Sequence, residues 1–417
     1  GVGSNGALTA TGTASLGGVI ALATDSTIGA ATGADVLTLS GTVNGASALN
    51  IAGAGSVTFG NTVGATTALT SLSQGASNAL NINGGLVRTV GAQTYSGTVA
   101  TSGATVLTST GGGNISAINT GNSFSGDLSL NAGGIVDVVN STALSLGVSS
   151  VGSLTAKSQS GNLTLNGAIT ATNTGANAVT LVADVAATPN ATGTGGNFIN
   201  NAGAAAITTG AGGAWRIYTG NPTGTVRGGL VEAGKRYNVD DGSDPLASGN
   251  RIYFRVQPTL TLTADNQTKT YGAANPVFTF SASGLIDGDT ALTAVSSGPS
   301  YAVDGTLSTS GNLTAGTLHN ITPSAAASNL GYSLGYASGT LTVNKLALTG
   351  AAMAGVTTTY GTPAATGAVS FTNAVVGDVV NASSSATIVS PTLSTSLNLN
   401  AGDRKSTRLN SSHGYIS

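Results

Sequence analysis

The sequence predicts an all-β protein, a right-handed parallel β-helix (solenoid) followed by small β-rich tandem modules, and three observations carry that prediction. Apolar residues recur in doublets with one polar residue between them: Leu37 and Leu39, Leu49 and Ile51, Val57 and Phe59, Leu80 and Ile82, Leu128 and Leu130, Leu144 and Leu146, Leu163 and Leu165, Val179 and Leu181. A period of two is the period of a strand. No stretch combines i, i+3, i+4, i+7 apolar spacing with capping residues, so helix is nearly excluded. Finally, 7% of the 417 residues are charged and 4% aromatic, while 63 are Gly. An ordinary soluble domain has roughly 25% charged residues, and so few large side chains rule out a conventional enzyme core. Val, Ile, Leu and Thr are too frequent, and the net charge of −2 too small, for a disordered polyion.

Residues 1–214 read as the β-helix stalk. Their only charges are Asp25, Asp35, Asp127, Asp137, Asp184, Arg88 and Lys157. Gly, Asn and Ser clusters separate the doublets, as in Leu80-Asn81-Ile82-Asn83-Gly84, Leu128-Ser129-Leu130-Asn131-Ala132-Gly133 and Leu163-Thr164-Leu165-Asn166-Gly167. Asn and Gly tolerate the positive φ of a corner, so each of these runs is expected to be a strand leaving through a turn. Short strands of irregular spacing suit a solenoid better than a sandwich, because each coil buries its few apolar residues against its neighbours. At about 20 residues per coil and about 4.8 Å per rung the stalk would be on the order of 50 Å long. A disordered Gly/Ser/Thr linker is the rival reading, and the doublets argue against it.

At Trp215 the composition changes. Trp215-Arg216-Ile217-Tyr218 opens a segment that gathers Arg216, Arg227, Glu232, Lys235, Arg236, Asp240, Asp241, Asp244, Arg251 and Arg255 with Tyr218, Tyr237, Tyr253 and Phe254. An open solenoid end is an exposed sheet edge that invites aggregation, so 215–257 is expected to be a cap or a joint.

From Pro258 the alternation is cleaner: Leu260-Thr261-Leu262-Thr263-Ala264, Val277-Phe278-Thr279-Phe280-Ser281 and Gly339-Thr340-Leu341-Thr342-Val343. Tyr271 and Asp289 are 18 residues apart (289 − 271), as are Tyr360 and Asp378 (378 − 360), and the two copies are offset by 89 (360 − 271). The expectation is a β-rich module at 258–345, as an immunoglobulin-like sandwich or a β-grasp, and a second, truncated one at 346–402.

These residues resemble the filamentous haemagglutinin-type adhesins that Gram-negative bacteria export by two-partner secretion. The similarity rests on Gln257–Asp265, then Lys269-Thr270-Tyr271-Gly272-Ala273-Ala274-Asn275-Pro276, then Ser283-Gly284-Leu285-Ile286-Asp287-Gly288-Asp289-Thr290. That pattern is similar to the extracellular repeats called YDG or MBG domains, with Ala273 where Asp usually follows the Tyr-Gly pair. Trp215–Tyr218 and Gly249-Asn250-Arg251-Ile252-Tyr253-Phe254 resemble the family's passage from β-helix to modules. The resemblance implies export through an outer-membrane transporter partner, an extracellular or cell-surface location, and adhesion to host cells, matrix, glycans or other bacteria. The amino-terminal secretion domain is not visible, and with no initiator Met or h-region at Gly1-Val2-Gly3 the chain reads as an internal fragment. Residues 403–417, beginning Asp403-Arg404-Lys405-Ser406, resemble a translated sequencing adapter and are read as a non-native tail, the natural chain being expected to continue past 402.

With no cysteine there is no disulfide, thiolate metal site or cysteine nucleophile. No run reaches the roughly 20 apolar residues of a membrane span, and no basic patch points to nucleic acid. The sequence points to no catalytic, cofactor-binding or metal site and to no enzyme. The alternative is a carbohydrate-active β-helix enzyme, a polysaccharide lyase or hydrolase, in which Asp127, Asp137 or Asp184 would have to converge on one groove. Asp240, Asp241 and Asp244 read as an acidic turn rather than a calcium site, since the loop spacing fails. Tyr271 reads as a packing residue with its hydroxyl at the rim. Gly111–Gly113 and Gly195-Gly196 read as turns, and apart from His413 in the tail only His319 is available as a base for any Ser or Thr.

Overall fold

The computed structural model describes residues 7–193, 195–243 and 248–354, and beyond these 357, 359, 362, 368–379, 395, 397, 415 and 416. It divides into two compact units, the first comprising 1–259 with 285–294 and 328–333, the second 260–284, 295–327 and 334–417.

The first unit is a stack of parallel strands. A 19-stranded sheet and a five-stranded sheet hold most of them, and each recorded pairing in the stack is parallel. The doublets explain why. Every residue of every doublet is 2% exposed or less, and the register places doublet on doublet: Leu37 and Leu39 lie beside Val57 and Phe59, which lie beside Leu80 and Ile82. Elsewhere Leu144 and Leu146 lie beside Leu163 and Leu165. An inward residue that faces its counterpart one coil away needs no opposing sheet to be buried, so small side chains suffice.

The coil repeat is visible in side-chain ladders. Asn50 donates to Thr27 and Ser73 to Asn50, each across 23 residues; later, Asn201 reaches Asn166 and the Trp215 amide reaches Asn250, each across 35. Buried polar residues peg the corners. The Asn122 carboxamide accepts from the Val99 amide at 2.8 Å and donates to the carbonyls of Ala117 at 2.8 Å and Val139 at 3.1 Å. Such pegs satisfy backbone groups that a corner takes out of the ladder.

Two expectations about turns need correction. Leu128–Gly133 is not an exit, because the strand runs on to Asn140: Leu128–Ala132 pairs with Thr105–Ser109, and Ile115–Ala117 pairs with Val136–Val138. The strand thus passes from one face of the coil to the next. Gly84 and Gly167 do follow strands, but neither has positive φ. They are required by close approach, since a Cβ on Gly84 would lie 2.0 Å from the Asn61 carbonyl carbon and one on Gly167 2.1 Å from the Val148 nitrogen.

At the end of the stack Arg251–Phe254 pairs on one side with Arg216–Thr219 and on the other with Gly234–Tyr237. Gly234–Tyr237 is therefore an edge strand, and the Tyr237 amide donates to the Leu330 carbonyl at 2.7 Å.

The second unit consists of strands, and none of its described residues is helical. Phe280–Ser283, Thr259–Ala264 and Ser333–Ala337 form one sheet; Gln267–Thr270, Gly339–Asn344, Leu318–Ser324 and Ser300–Val303 form another. In the latter Gln267–Thr270 is an edge strand parallel to Gly339–Asn344, and the remaining pairs are antiparallel. The core is Ala264, Tyr271, Leu313, Ala315, Ile321, Leu341 and Val343.

Candidate functional site

Four carboxylates of the coil stack accept hydrogen bonds from neighbouring residues. Asp25 accepts from the Ala48 amide. Asp35 takes the amides of Gly12 and Thr32 and the Thr32 hydroxyl, which hold its carboxyl below the usual range. Asp184, at φ 59°, accepts from the Gly196 amide at 2.7 Å. Asp127 accepts from Ser145 at 2.6 Å and from Asn166 at 2.8 Å.

Asp137 lies elsewhere, between Ser116 and Thr155 in the register of a different strand series from the one Asp127 precedes. Glycoside hydrolysis needs two carboxyl groups within about 5–10 Å on either side of one bond. Asp127 and Asp184 have no hydrogen-bond partner in common among the described residues. Among the described residues no three of His, Cys, Asp and Glu group as a metal site.

Asp240 is paired with Arg255 and Asp241 with Lys157. Asp244 lies outside the described residues. Gly112 turns at φ 83° and Gly195 at φ 117°. His319 is 2% exposed, its Nε2 engaged by the Thr314 carbonyl at 2.9 Å and the Thr317 hydroxyl at 3.1 Å. It fills the space over Gly305, where a Cβ would come within 1.8 Å of Nδ1.

The densest polar chemistry of the first unit lies beside the edge strand Gly234–Tyr237. Arg227 forks onto Asp287 at 3.1 and 2.7 Å and holds Glu232 at 3.0 Å. Lys235 reaches Asp287 at 2.8 Å and Asp289 at 3.0 Å. Both Tyr237 and Tyr332 donate to Asp289 Oδ2, at 2.7 and 2.8 Å. Tyr237 stacks on Phe254 and meets Tyr332 edge-on, while Arg227 sits over the Phe254 ring.

Burial first, and then Asp289, push the Tyr237 hydroxyl far up. At Tyr332 burial and Asp289, opposed by the Ile286 amide, push it up to about 12. Both hydroxyls therefore stay protonated donors at any physiological pH. Burial raises the Asp287 carboxyl, but Arg227 and Lys235 outweigh it and hold it below the usual range.

The second unit has a smaller counterpart. Tyr271 is 1% exposed, its ring in the core and its hydroxyl at the rim, donating to Asp378 and lying 2.6 Å from the Ser308 hydroxyl. Asp378 also accepts from the Ser310 amide at 3.1 Å and the Thr309 hydroxyl at 3.3 Å. Burial raises the Asp378 carboxyl, and the bonds from Tyr271 and Ser310 more than reverse this.

Tyr271 and Asp289, 18 residues apart in the repeat, do not bond each other: Asp378 takes the hydroxyl of Tyr271, and Asp289 those of Tyr237 and Tyr332. Tyr237 and Tyr332 were not singled out as site residues. The one sequence signal was Lys235-Arg236-Tyr237, which repeats the Lys-x-Tyr of Lys269-Thr270-Tyr271.

Residues 260–342 match the family model of the MBG domain (YGX type). An MBG domain therefore lies in this chain. The description leaves open the position after Tyr-Gly, where Ala273 stands in place of Asp. The match runs from Leu260 to Thr342 and draws on both small sheets. No curated protein and no solved structure matches the chain. No described helix is long and apolar enough to cross a membrane. Tyr360-Gly361 of the second copy and residues 403–414 of the tail lie outside the described residues.

Proposed function

We propose that this chain is part of a secreted or surface-displayed bacterial adhesin of the filamentous haemagglutinin type, exported by an outer-membrane two-partner transporter. The parallel coil stack serves as a spacer, and the MBG module extends it toward cells, matrix or other bacteria. The observation that carries this reading is the MBG module following directly on a parallel β-helix. Modules of this kind suggest adhesin-like or surface repeat proteins.

The use of polar groups supports the reading. The outward ladders Thr27, Asn50, Ser73 and Asp127, Ser145, Asn166, Asn201 offer a repeated hydroxyl and amide surface of low charge. Such a surface binds by shape and many weak polar contacts rather than by one deep site. We read the chain as non-enzymatic. The folded chain, immobilised and presented with cells, matrix proteins and glycan arrays, is expected to retain at least one class. Release of reducing ends or unsaturated products from a polysaccharide panel, abolished by Asp→Asn at 127, 137 or 184, would overturn this in favour of the enzyme.

A further inference from the structure

The two Tyr–Asp sites share more than a hydrogen bond. Each Tyr ends an edge strand paired in parallel: Gly234–Tyr237 along Arg251–Phe254, and Gln267–Thr270, followed at once by Tyr271, along Gly339–Asn344. Each is followed by a residue in the left-handed region, Asn238 at φ 57° and Gly272 at φ 79°. Each has a lysine two positions before it, Lys235 and Lys269.

The acceptors match as well. Asp289 and Asp378 each close a four-residue turn by donating their amide to the carbonyl three residues back, Ile286 at 3.0 Å and Val375 at 3.2 Å. Both turns have Gly in third place with positive φ, Gly288 at 74° and Gly377 at 96°, although the first also holds Asp287 at 54°. Gly272 is needed at the second site because a Cβ there would lie 2.6 Å from Val375 of the incoming turn. Neither acceptor belongs to the 18-residue repeat of the Tyr it binds. Asp289 lies 52 residues after Tyr237, and Asp378 lies 107 after Tyr271.

We propose that the Gly-Asp turn of a YGX module is a plug that seats on the Tyr-ended edge strand of the element preceding it in the chain. Lys235–Asn238 is then the strand on which the turn 286–289 seats, and Lys269–Gly272 the one on which the turn 375–378 seats. The partner recognised by a Tyr-Gly strand is thus another copy of the module, through a carboxylate received by a phenol hydroxyl. This is independent of what the chain adheres to.

The test is a double-mutant cycle on the full chain, read by amide hydrogen exchange. Tyr271→Phe and Asp378→Asn are each expected to speed exchange at the Ser310 and Asp378 amides about tenfold, the loss of one charge-assisted hydrogen bond. The double variant should be no faster than either single one, with the turn at 286–289 unchanged. Tyr237→Phe should speed exchange at 286–289 alone, and by less than Asp289→Asn, because Tyr332 and Lys235 also hold Asp289. Wild-type exchange in the single variants, or effects that multiply in the double, would overturn the pairing. If Tyr271→Phe fails to fold, Asp378→Asn on the half-buried turn carries the same expectation and the same refutation.

Discussion

Replacing Asp287 with Asn removes the charge on which two cations of the terminal coils converge. Asn is the appropriate probe because Asp287 sits at φ 54°, a region Asn tolerates and Ala does not. Arg227 would lose a forked partner at 3.1 and 2.7 Å, and Lys235 one at 2.8 Å. Neither cation would be stranded, since Arg227 keeps Glu232 and Lys235 keeps Asp289 and the Asp287 carbonyl.

With side-chain exposures of 25% for Arg227 and 14% for Lys235 and Asp287, the loss lies between that of a surface pair, about 1 kcal/mol or less, and that of a broken buried pair, about 3–5 kcal/mol. About 2 kcal/mol is expected. The single tryptophan, Trp215, is 2% exposed in the same terminal coils, so its fluorescence reports this unit. With a urea slope of about 2 kcal/mol per M, the midpoint should fall by about 1 M.

The pH dependence has a definite sign. The folded Asp287 carboxyl is depressed, so its stabilisation is complete above the unfolded value of about 3.9 and is lost as the pH falls through the folded one. The difference between wild type and variant should therefore be constant at neutral pH and close in acid. An unchanged midpoint at pH 7, or a difference that grows on acidification, would refute the reasoning.

Four further variants test the coil stack. Gly29→Ala would place a Cβ 1.9 Å from the Ala52 carbonyl oxygen and should unfold the neighbouring coils to proteolysis. Gly103→Ala meets nothing within 4 Å and should change stability by less than about 0.5 kcal/mol. Phe59→Ala, between Leu39 and Ile82 in the register, should cost about 3–5 kcal/mol in chemical denaturation. Asn122→Ala should cost about 2–3 kcal/mol, because the buried Val99 amide and the Ala117 and Val139 carbonyls lose a partner, and exchange at the Val99 amide should rise.

Much of the fold was legible because a strand's period of two writes burial directly into the sequence. Leu37 and Leu39, or Leu163 and Leu165, could point only inward, and with so little aromatic volume each had to be covered by a neighbouring coil. Turns were read less well. Asn-Gly after a doublet signalled a corner, but whether Gly84 served a positive φ or a close approach depended on where Asn61, one coil away, came to lie. At Leu128–Asn140 the same signal marked no strand end, because Thr105–Ser109 and Ile115–Ala117 offer successive partners on two faces.

The polar sites were the least legible. Tyr271, Asp289, Tyr360 and Asp378 stood out as a repeat, but their spacing marked the module length and named no side-chain partner. By itself the sequence determined the all-β class, the parallel stacking and the MBG module, because these follow from local periodicity and from a motif contiguous in the chain. Tertiary structure alone decided that Asp289 belongs to Tyr237 and Tyr332, Asp378 to Tyr271, and Asp127 and Asp137 to different faces. The physical reason is that a hydrogen bond is won by the donor that the fold brings within about 3 Å, and closing a loop of 107 residues costs only slightly more entropy than closing one of 52.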